Sequence, residues 1–230
     1  MIRVATYNVH GFIGRDGRRD LARVAQVITG LECVAVGLQE VDSRGATTTV
    51  RELEDRTGMQ AVAGPTIIEP DGDYGNVLLT KSRGLDSEEH DLTVPGREPR
   101  GAILARLRAA EGVVFTMIVT HLGLRRQERR RQVEMLLDIC GSTRIRGPLV
   151  LAGDFNEWNP RAPSLRLLRG ELGPSRAVRT FPVWRPILAL DRIWVRPAHA
   201  VRRVRAVRTA ATRVASDHLP VVAELDQWPT

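Results

Sequence analysis

Two periods run along the chain. In some stretches apolar and polar residues alternate, and in others apolar residues recur every three to four positions. Residues 2–9 alternate and predict a strand that ends at Asn8. Over 19–31, Leu21, Val24, Ala25 and Ile28 share one helical face, with Asp20 at the start, where the helix dipole favours an acid. Residues 33–41, CVAVGLQEV, form a near-continuous apolar run, as expected of a strand covered on both faces, and Glu40 lies at its end. Strand, helix, strand in that order predicts a crossover unit.

The middle of the chain changes character. AVAGPTII, NVLLTKS and AILARLRAAEGVVFTMIVTHL predict short strands separated by Gly, Pro, Asp and Asn, with a hairpin turn at Ala110-Glu111-Gly112. The last of these strands ends at His121. A helix follows over about 125–140, burying Val133, Leu136, Leu137 and Cys140, and then the strand PLVLAGDFN. A short helix near 162–170, the strands LDRIWV and VVAELD, and a basic segment VRRVRAVRTAATRV between those strands complete the chain. The early strand, helix, strand layout recurs at 113–155, although no strict repeat is present. Two sheets packed face to face with helices outside would explain that echo. A single domain over 1–230 is expected, since no linker or low-complexity tract breaks the pattern.

Polar residues of a particular kind stand where the apolar strands end. They are Asn8 in TYNVHG, Glu40 in LQEVD, His121 in VTHL, Asp154 and Asn156 in GDFN, Asp191 in LDRIWV, and Asp217 with His218 in SDHLPV. Each has an ordinary structural alternative: a solvated strand end for Glu40, a turn for Asn8, a buried imidazole on backbone for His121, turn chemistry for Asp217 before Pro220. Together, at the exits of apolar strands, they predict one cluster of acids, amides and imidazoles. Asp154 and Asn156 are two apart and so point the same way from an extended chain.

Such a set suits phosphoester hydrolysis. Glu40 is a hard oxygen ligand for Mg²⁺ (or Mn²⁺), with Asn8 or Asp217 near it. The metal would polarise a phosphoryl oxygen. Asp154 would orient and deprotonate the attacking water, and Asn156 would donate to the nucleophile or the oxyanion. His218 would face the non-bridging oxygens or the leaving group, oriented by Asp191. No motif presents a Ser or Cys nucleophile, and GDFN is unlike a phosphate-cradling Gly-rich loop.

YNVHG, LQEVD, YGNVLLTK, THL, GDFN, LDRIWV and SDHLPVVAEL, in that order and almost end to end, resemble the endonuclease/exonuclease/phosphatase superfamily. The resemblance implies an α/β (α+β) fold: a four-layer αββα sandwich of two mixed sheets with helices outside, and one divalent metal, usually Mg²⁺. It implies metal-site roles for Glu40, Asn8 and Asp217, a water-activating pair in Asp154 and Asn156, and a dyad in Asp191 and His218. His121 resembles the second histidine of the deoxyribonuclease-like and lipid-acting branches. Abasic-site enzymes usually carry a tyrosine there, which argues against that repair role. Asn76 in YGNVLL and Arg100 in EPRGAIL resemble phosphate-contacting positions; a surface loop arginine is the alternative for Arg100.

The function so implied is a Mg²⁺-dependent phosphodiesterase, with nucleic acid, DNA or RNA, as the foremost substrate. A phosphomonoesterase or a phospholipid-headgroup hydrolase would use the same site. A catalytically silent binding protein on this fold would lack Glu40, Asp154 or His218, and all three are present.

Composition adjusts this picture in three places. The net charge of +7 favours an anionic partner; of 34 basic residues only Lys81 is a lysine. The Arg-rich stretch 125–131 reads as a solvated helix face, and 202–208 could equally track phosphates. Aromatics are only 4% of residues, leaving Trp158 and Trp184 as platforms or rim packing. Cys33 and Cys140 in apolar surroundings read as reduced core thiols. No secretory leader or apolar run near ~20 residues is evident, so a monomeric cytoplasmic protein is expected.

Overall fold

The protein is described by a computed structural model over residues 1–226, apart from 47, 83, 110, 111, 143, 144 and 146. The hairpin turn expected at Ala110-Glu111-Gly112 therefore lies largely outside the described residues. The first sheet contains β1 (Ile2–Asn8), β2 (Ala35–Asp42), β3 (Gln60–Glu69), β4 (Gly72–Thr80), β10 (Val201–Ala206) and β11 (Val221–Leu225) in the order β10-β11-β1-β2-β4-β3. The second contains β5 (Gly84–Asp91), β6 (Gly101–Arg108), β7 (Val114–His121), β8 (Leu149–Asp154) and β9 (Asp191–Arg196) in sequence order. Both are mixed. β1 pairs parallel with β2 and β7 with β8, while the other pairings are antiparallel.

The two parallel pairs are joined by α1 (Leu21–Gly30) and α3 (Arg126–Cys140), the crossovers that parallel strands require. α2 (Thr49–Thr57), α4 (Pro163–Leu172) and the short α5 (Thr212–Ala215) complete the helices. Asp20 accepts a hydrogen bond from the Arg23 amide at 2.9 Å and so caps α1, as its position in the sequence leads one to expect.

Three apolar layers hold four structural layers together. Val4, Leu78, Ile103, Met117, Val119 and Val150 meet between the sheets. Ala5, Val36 and Leu38 face outward against Val24 and Ile28 of α1 and Leu53 of α2. Ile118 and Leu151 face outward against Val133 and Leu136 of α3 and Leu165 and Leu168 of α4. Neighbours such as Val4 and Ala5, or Ile118 and Val119, thus serve opposite faces of one sheet. That is why the central strands read as continuous apolar runs, and each buried side chain of this size contributes about 1.5–3 kcal/mol. The expected αββα sandwich is what forms.

β5, α2 and β10 are additions to the elements read from the sequence. β5, GLDSEEHD, is an edge strand with hardly any apolar residue. α2 is mostly charged and fully buries only Thr49 and Leu53. The basic segment expected between the last strands supplies β10, the opposite edge of the first sheet. β3 carries Pro65 at the third edge, where a register shift accommodates the missing donor.

Candidate active site

Strand register sets the rows from which the site is built. In the second sheet His121 of β7 pairs with Asp154 of β8, and Asp154 pairs with Asp191 of β9. Gly153 makes the first pairing close: a Cβ there would fall 2.0 Å from the Thr120 carbonyl oxygen. In the first sheet Asn8 ends β1 beside Gln39 of β2. A bulge between Leu38 and Val41 follows, and Glu40 within it has φ 56°. Bulges re-aim side chains, and this one brings Glu40 to the Asn8 amide while Gln39 remains buried on Thr6.

Asn8 joins the two sheets. Its Nδ2 donates to Glu40 Oε1 at 2.8 Å and to Asp154 Oδ2 at 3.0 Å, while its Oδ1 accepts from the His10 amide at 3.0 Å. Ser216 Oγ donates to the Asn8 carbonyl at 2.8 Å and accepts from the His218 amide, so the last loop is tied to the first strand.

Two imidazoles converge on Asp154. His121 Nε2 and His218 Nε2 each lie 3.8 Å from Asp154 Oδ2. Their protonation differs. Arg100 Nη1 lies 3.1 Å from His121 Nδ1 and Asn156 Nδ2 lies 3.0 Å from its Nε2, so a donor faces each nitrogen of that ring. Burial pushes the His121 pKa down, and Arg100 adds to the effect although Asp154 opposes it, so the ring is neutral. For His218 burial also disfavours the charge, but the Asp191 carboxylate, with Oδ2 2.8 Å from Nδ1, outweighs it and holds the pKa up at about 10. Thr180 Oγ1 donates to the same Asp191 oxygen, and the Phe181 ring packs 4.9 Å from the His218 ring.

Asn156 follows Asp154 with φ 49°, and its amide N–H donates to Asp154 Oδ1 at 2.8 Å. Its Nδ2 donates to the Leu122 carbonyl at 2.8 Å and lies 3.0 Å from His121 Nε2. Left-handed backbone at His10, Glu40 and Asn156 costs on the order of 1–3 kcal/mol each, and three such residues stand around one cluster.

The other expected residues fall around this centre. Asp217 is half-exposed, its Oδ2 3.7 Å from His10 Nδ1. Asn76 is buried on β4 and donates to the Gly101 carbonyl at 3.1 Å, leaving its Oδ1 without a partner. Arg100 is buried too, its guanidinium shared between His121 and Glu98 Oε1 at 3.1 Å. Its contact within the site is thus with an imidazole. A cavity of about 380 Å³ opens beside it, between the β3 edge and β5.

His10, Thr180 and Ser216 escaped the sequence reading. His10 Nδ1 is 3.4 Å from Glu40 Oε2, and that contact raises its pKa against the opposing effect of burial. Its signal was available, two residues after Asn8 within the same motif. Thr180 and Ser216 gave none, because a lone hydroxyl in a loop is common.

The donor set fits a divalent cation. Glu40 and Asp217 offer hard oxygens on the open side, where a hydrated ion keeps its waters. Burial alone would raise the Glu40 pKa, but His10, His121 and Asn8 together hold it down at about 2, so it is ionised. Asp154, Asp191 and His218 also bring ligand-type atoms within 4.8 Å of one another. That trio is more deeply buried, and Asp191 and His218 are already bonded to each other.

Residues 5–218 match the model of the Endonuclease/Exonuclease/phosphatase family. The Escherichia coli protein YbhP is 30% identical, over 97% of this chain and 95% of its own. The endonuclease/exonuclease/phosphatase structure from Bacteroides vulgatus superimposes with a TM-score of 0.78 at 21% identity, covering 98% of this chain and 99% of that one. The human Nocturnin catalytic domain with bound sulfate has a TM-score of 0.73 at 25% identity over 96% of this chain and 93% of that one. With a matching sandwich and a family match over nearly its whole length, the chain belongs to the endonuclease/exonuclease/phosphatase family.

Proposed function

We propose that the chain is a divalent-metal-dependent phosphodiesterase. Its family and site support a hydrolase of phosphoester bonds; the metal requirement and the diester preference belong to this reading. One observation carries it. A single carboxylate oxygen, Asp154 Oδ2, is held by Asn8 Nδ2 at 3.0 Å and faced by two imidazole nitrogens at 3.8 Å. Neither imidazole bonds it closely, which leaves the oxygen able to hold a water.

Asp154 orients that water and takes its proton as the oxygen attacks phosphorus. His218, charged and fixed by Asp191, sits where it can donate to a non-bridging oxygen or to the departing alkoxide. Neutral His121 turns its Nε2 edge to the same space, with Arg100 behind it at Nδ1. Asn156 steadies Asp154 and His121, and Asn76 lies near as a candidate phosphate contact. Glu40, with Asp217 and helped by Asn8, would hold Mg²⁺ or Mn²⁺. Bound there, the ion would supply Lewis acidity to a phosphoryl oxygen. The P–O bond breaks to give a monoester and an alcohol.

Hydrolysis of bis(p-nitrophenyl) phosphate and of p-nitrophenyl phosphate with Mg²⁺ or Mn²⁺ separates the readings. Faster diester cleavage is expected, reduced about 10²–10⁴-fold in Asp154→Asn, the usual worth of a general base. Preference for the monoester would make the protein a phosphatase, and full activity in EDTA would remove the metal from the mechanism.

A further inference from the structure

We propose that the site-bearing end of the sandwich docks on an anionic phospholipid surface. Eight large apolar side chains are exposed among the described residues, and all but Met1 lie at the end where the site is. Leu124 (70% exposed) follows the β7 exit and Trp158 (60%) the β8 exit. Trp184 (60%) and Ile187 (55%) lie in the loop that enters β9 at Asp191. Ile13 lies in the segment after Asn8, and Val214 in α5 just before Asp217. β3 runs in the same direction as β2, so its last turn, with Ile68 76% exposed, reaches the same end as Glu40.

These loops are braced to one another. Arg129 donates to the Leu124 carbonyl at 2.6 Å and to Glu157 Oε2 at 2.9 Å, linking the loops that carry Leu124 and Trp158. The Val183 amide donates to the Asp217 carbonyl at 2.7 Å, and the Arg15 amide to the Val214 carbonyl at 3.0 Å. The Leu124 and Trp158 loops are thus tied together, as are those that carry Ile13, Val214 and Trp184.

Charge at that end complements an anionic bilayer. Arg125 follows Leu124, Arg185 follows Trp184, Arg213 precedes Val214, and Arg15 lies two residues after Ile13; all four are exposed. Indoles settle at the headgroup level, aliphatic side chains reach the acyl boundary, and arginines meet lipid phosphates. Nucleic acid would use the arginines and the two indoles, but Leu124, Ile187, Ile68 and Ile13 offer no π face for a base. The aliphatic content therefore favours the bilayer, and with it a phosphodiester carried by a lipid or held at its surface. The substrate part of this inference rests on the phosphodiesterase reading; the docking part does not, because vesicle binding needs no turnover and soluble diester hydrolysis needs no vesicle.

The test is flotation of the full chain with vesicles of phosphatidylcholine alone, with vesicles containing phosphatidylglycerol, and against a single-stranded oligonucleotide. Binding to the anionic vesicles, weakened by salt, is expected. Leu124→Ser combined with Ile187→Ser should lower partitioning about a hundredfold, roughly tenfold for each buried side chain, with soluble diester hydrolysis unchanged. Quenching of the Trp158 and Trp184 fluorescence by brominated lipid, lost in Trp158→Phe/Trp184→Phe, is a second readout on the unaltered rim. Equal binding to neutral and anionic vesicles, vesicle binding indifferent to the double variant, or oligonucleotide binding without vesicle binding would each overturn the proposal.

Discussion

His218 owes its charge chiefly to one neighbour, Asp191. In the folded chain its pKa is raised from 6.5 to about 10, with Asp191 overcoming the cost of burial. A group with a raised folded pKa stabilises the fold fully below its unfolded pKa and loses that contribution as pH climbs through the folded value. Stability should therefore fall between about pH 6.5 and pH 10 through this pair. Asp191→Asn should flatten that part of the profile in denaturant unfolding, bring the imidazole titration down when followed by NMR, and lower kcat while leaving KM near its starting value. An unchanged titration would mean that another group holds the proton. His121, a few ångströms away, is neutral chiefly because burial disfavours its charge, an effect to which the Arg100 guanidinium adds. Two similarly buried rings thus take opposite states, because only His218 has a carboxylate bonded to it.

The loops and strand ends that carry these residues depend on particular braces. Arg129 of α3 and Glu157 after β8 form a buried ion pair at 2.9 Å. Arg129→Met would leave Glu157 buried without its cation, costing roughly 3–5 kcal/mol. Chemical denaturation should show that loss, and Arg129→Met/Glu157→Leu should recover much of it. Central elements were readable from the sequence because both faces of β1, β2, β7 and β8 are covered, and the polar ends of those strands interrupted an apolar code. β5 and α2 were not readable. An edge strand such as GLDSEEHD has little to bury, and α2 fully buries little beyond Thr49 and Leu53, so hydrophobic period carries no information there. The same limit applies to the site: Asn8, Glu40 and Asp154 could be named, but not that one amide would join the two carboxylates. The contact of Arg100 with His121 could not be named either, since spacing does not reveal which way a guanidinium turns.

Ion binding should be visible in the stability of the molecule as a whole. A ligand at a hundred times its Kd adds about 2.7 kcal/mol, which for a chain of this size is a Tm rise on the order of 5–10 °C. Mn²⁺ or Mg²⁺ should give such a rise in thermal unfolding and EDTA should reverse it. Glu40→Gln should abolish it while melting near the metal-free protein. A shift that survives in Glu40→Gln would place the ion on the Asp154, Asp191, His218 group instead.

Glu40 hangs from one sheet and Asp154 from the other, and no backbone ladder runs between them. Their spacing is therefore a sliding coordinate, held by the Asn8 amide and by how the two inner faces mesh. Gly37 is a tight tooth in that mesh, since a Cβ there would come within 2.7 Å of the Val119 side chain. Catalysis then acts as a gauge of alignment: loosening the interior far from any reacting atom should throw the two halves out of step. Val119→Ala is expected to reduce kcat with secondary structure intact, and heating should silence the enzyme before circular dichroism registers unfolding.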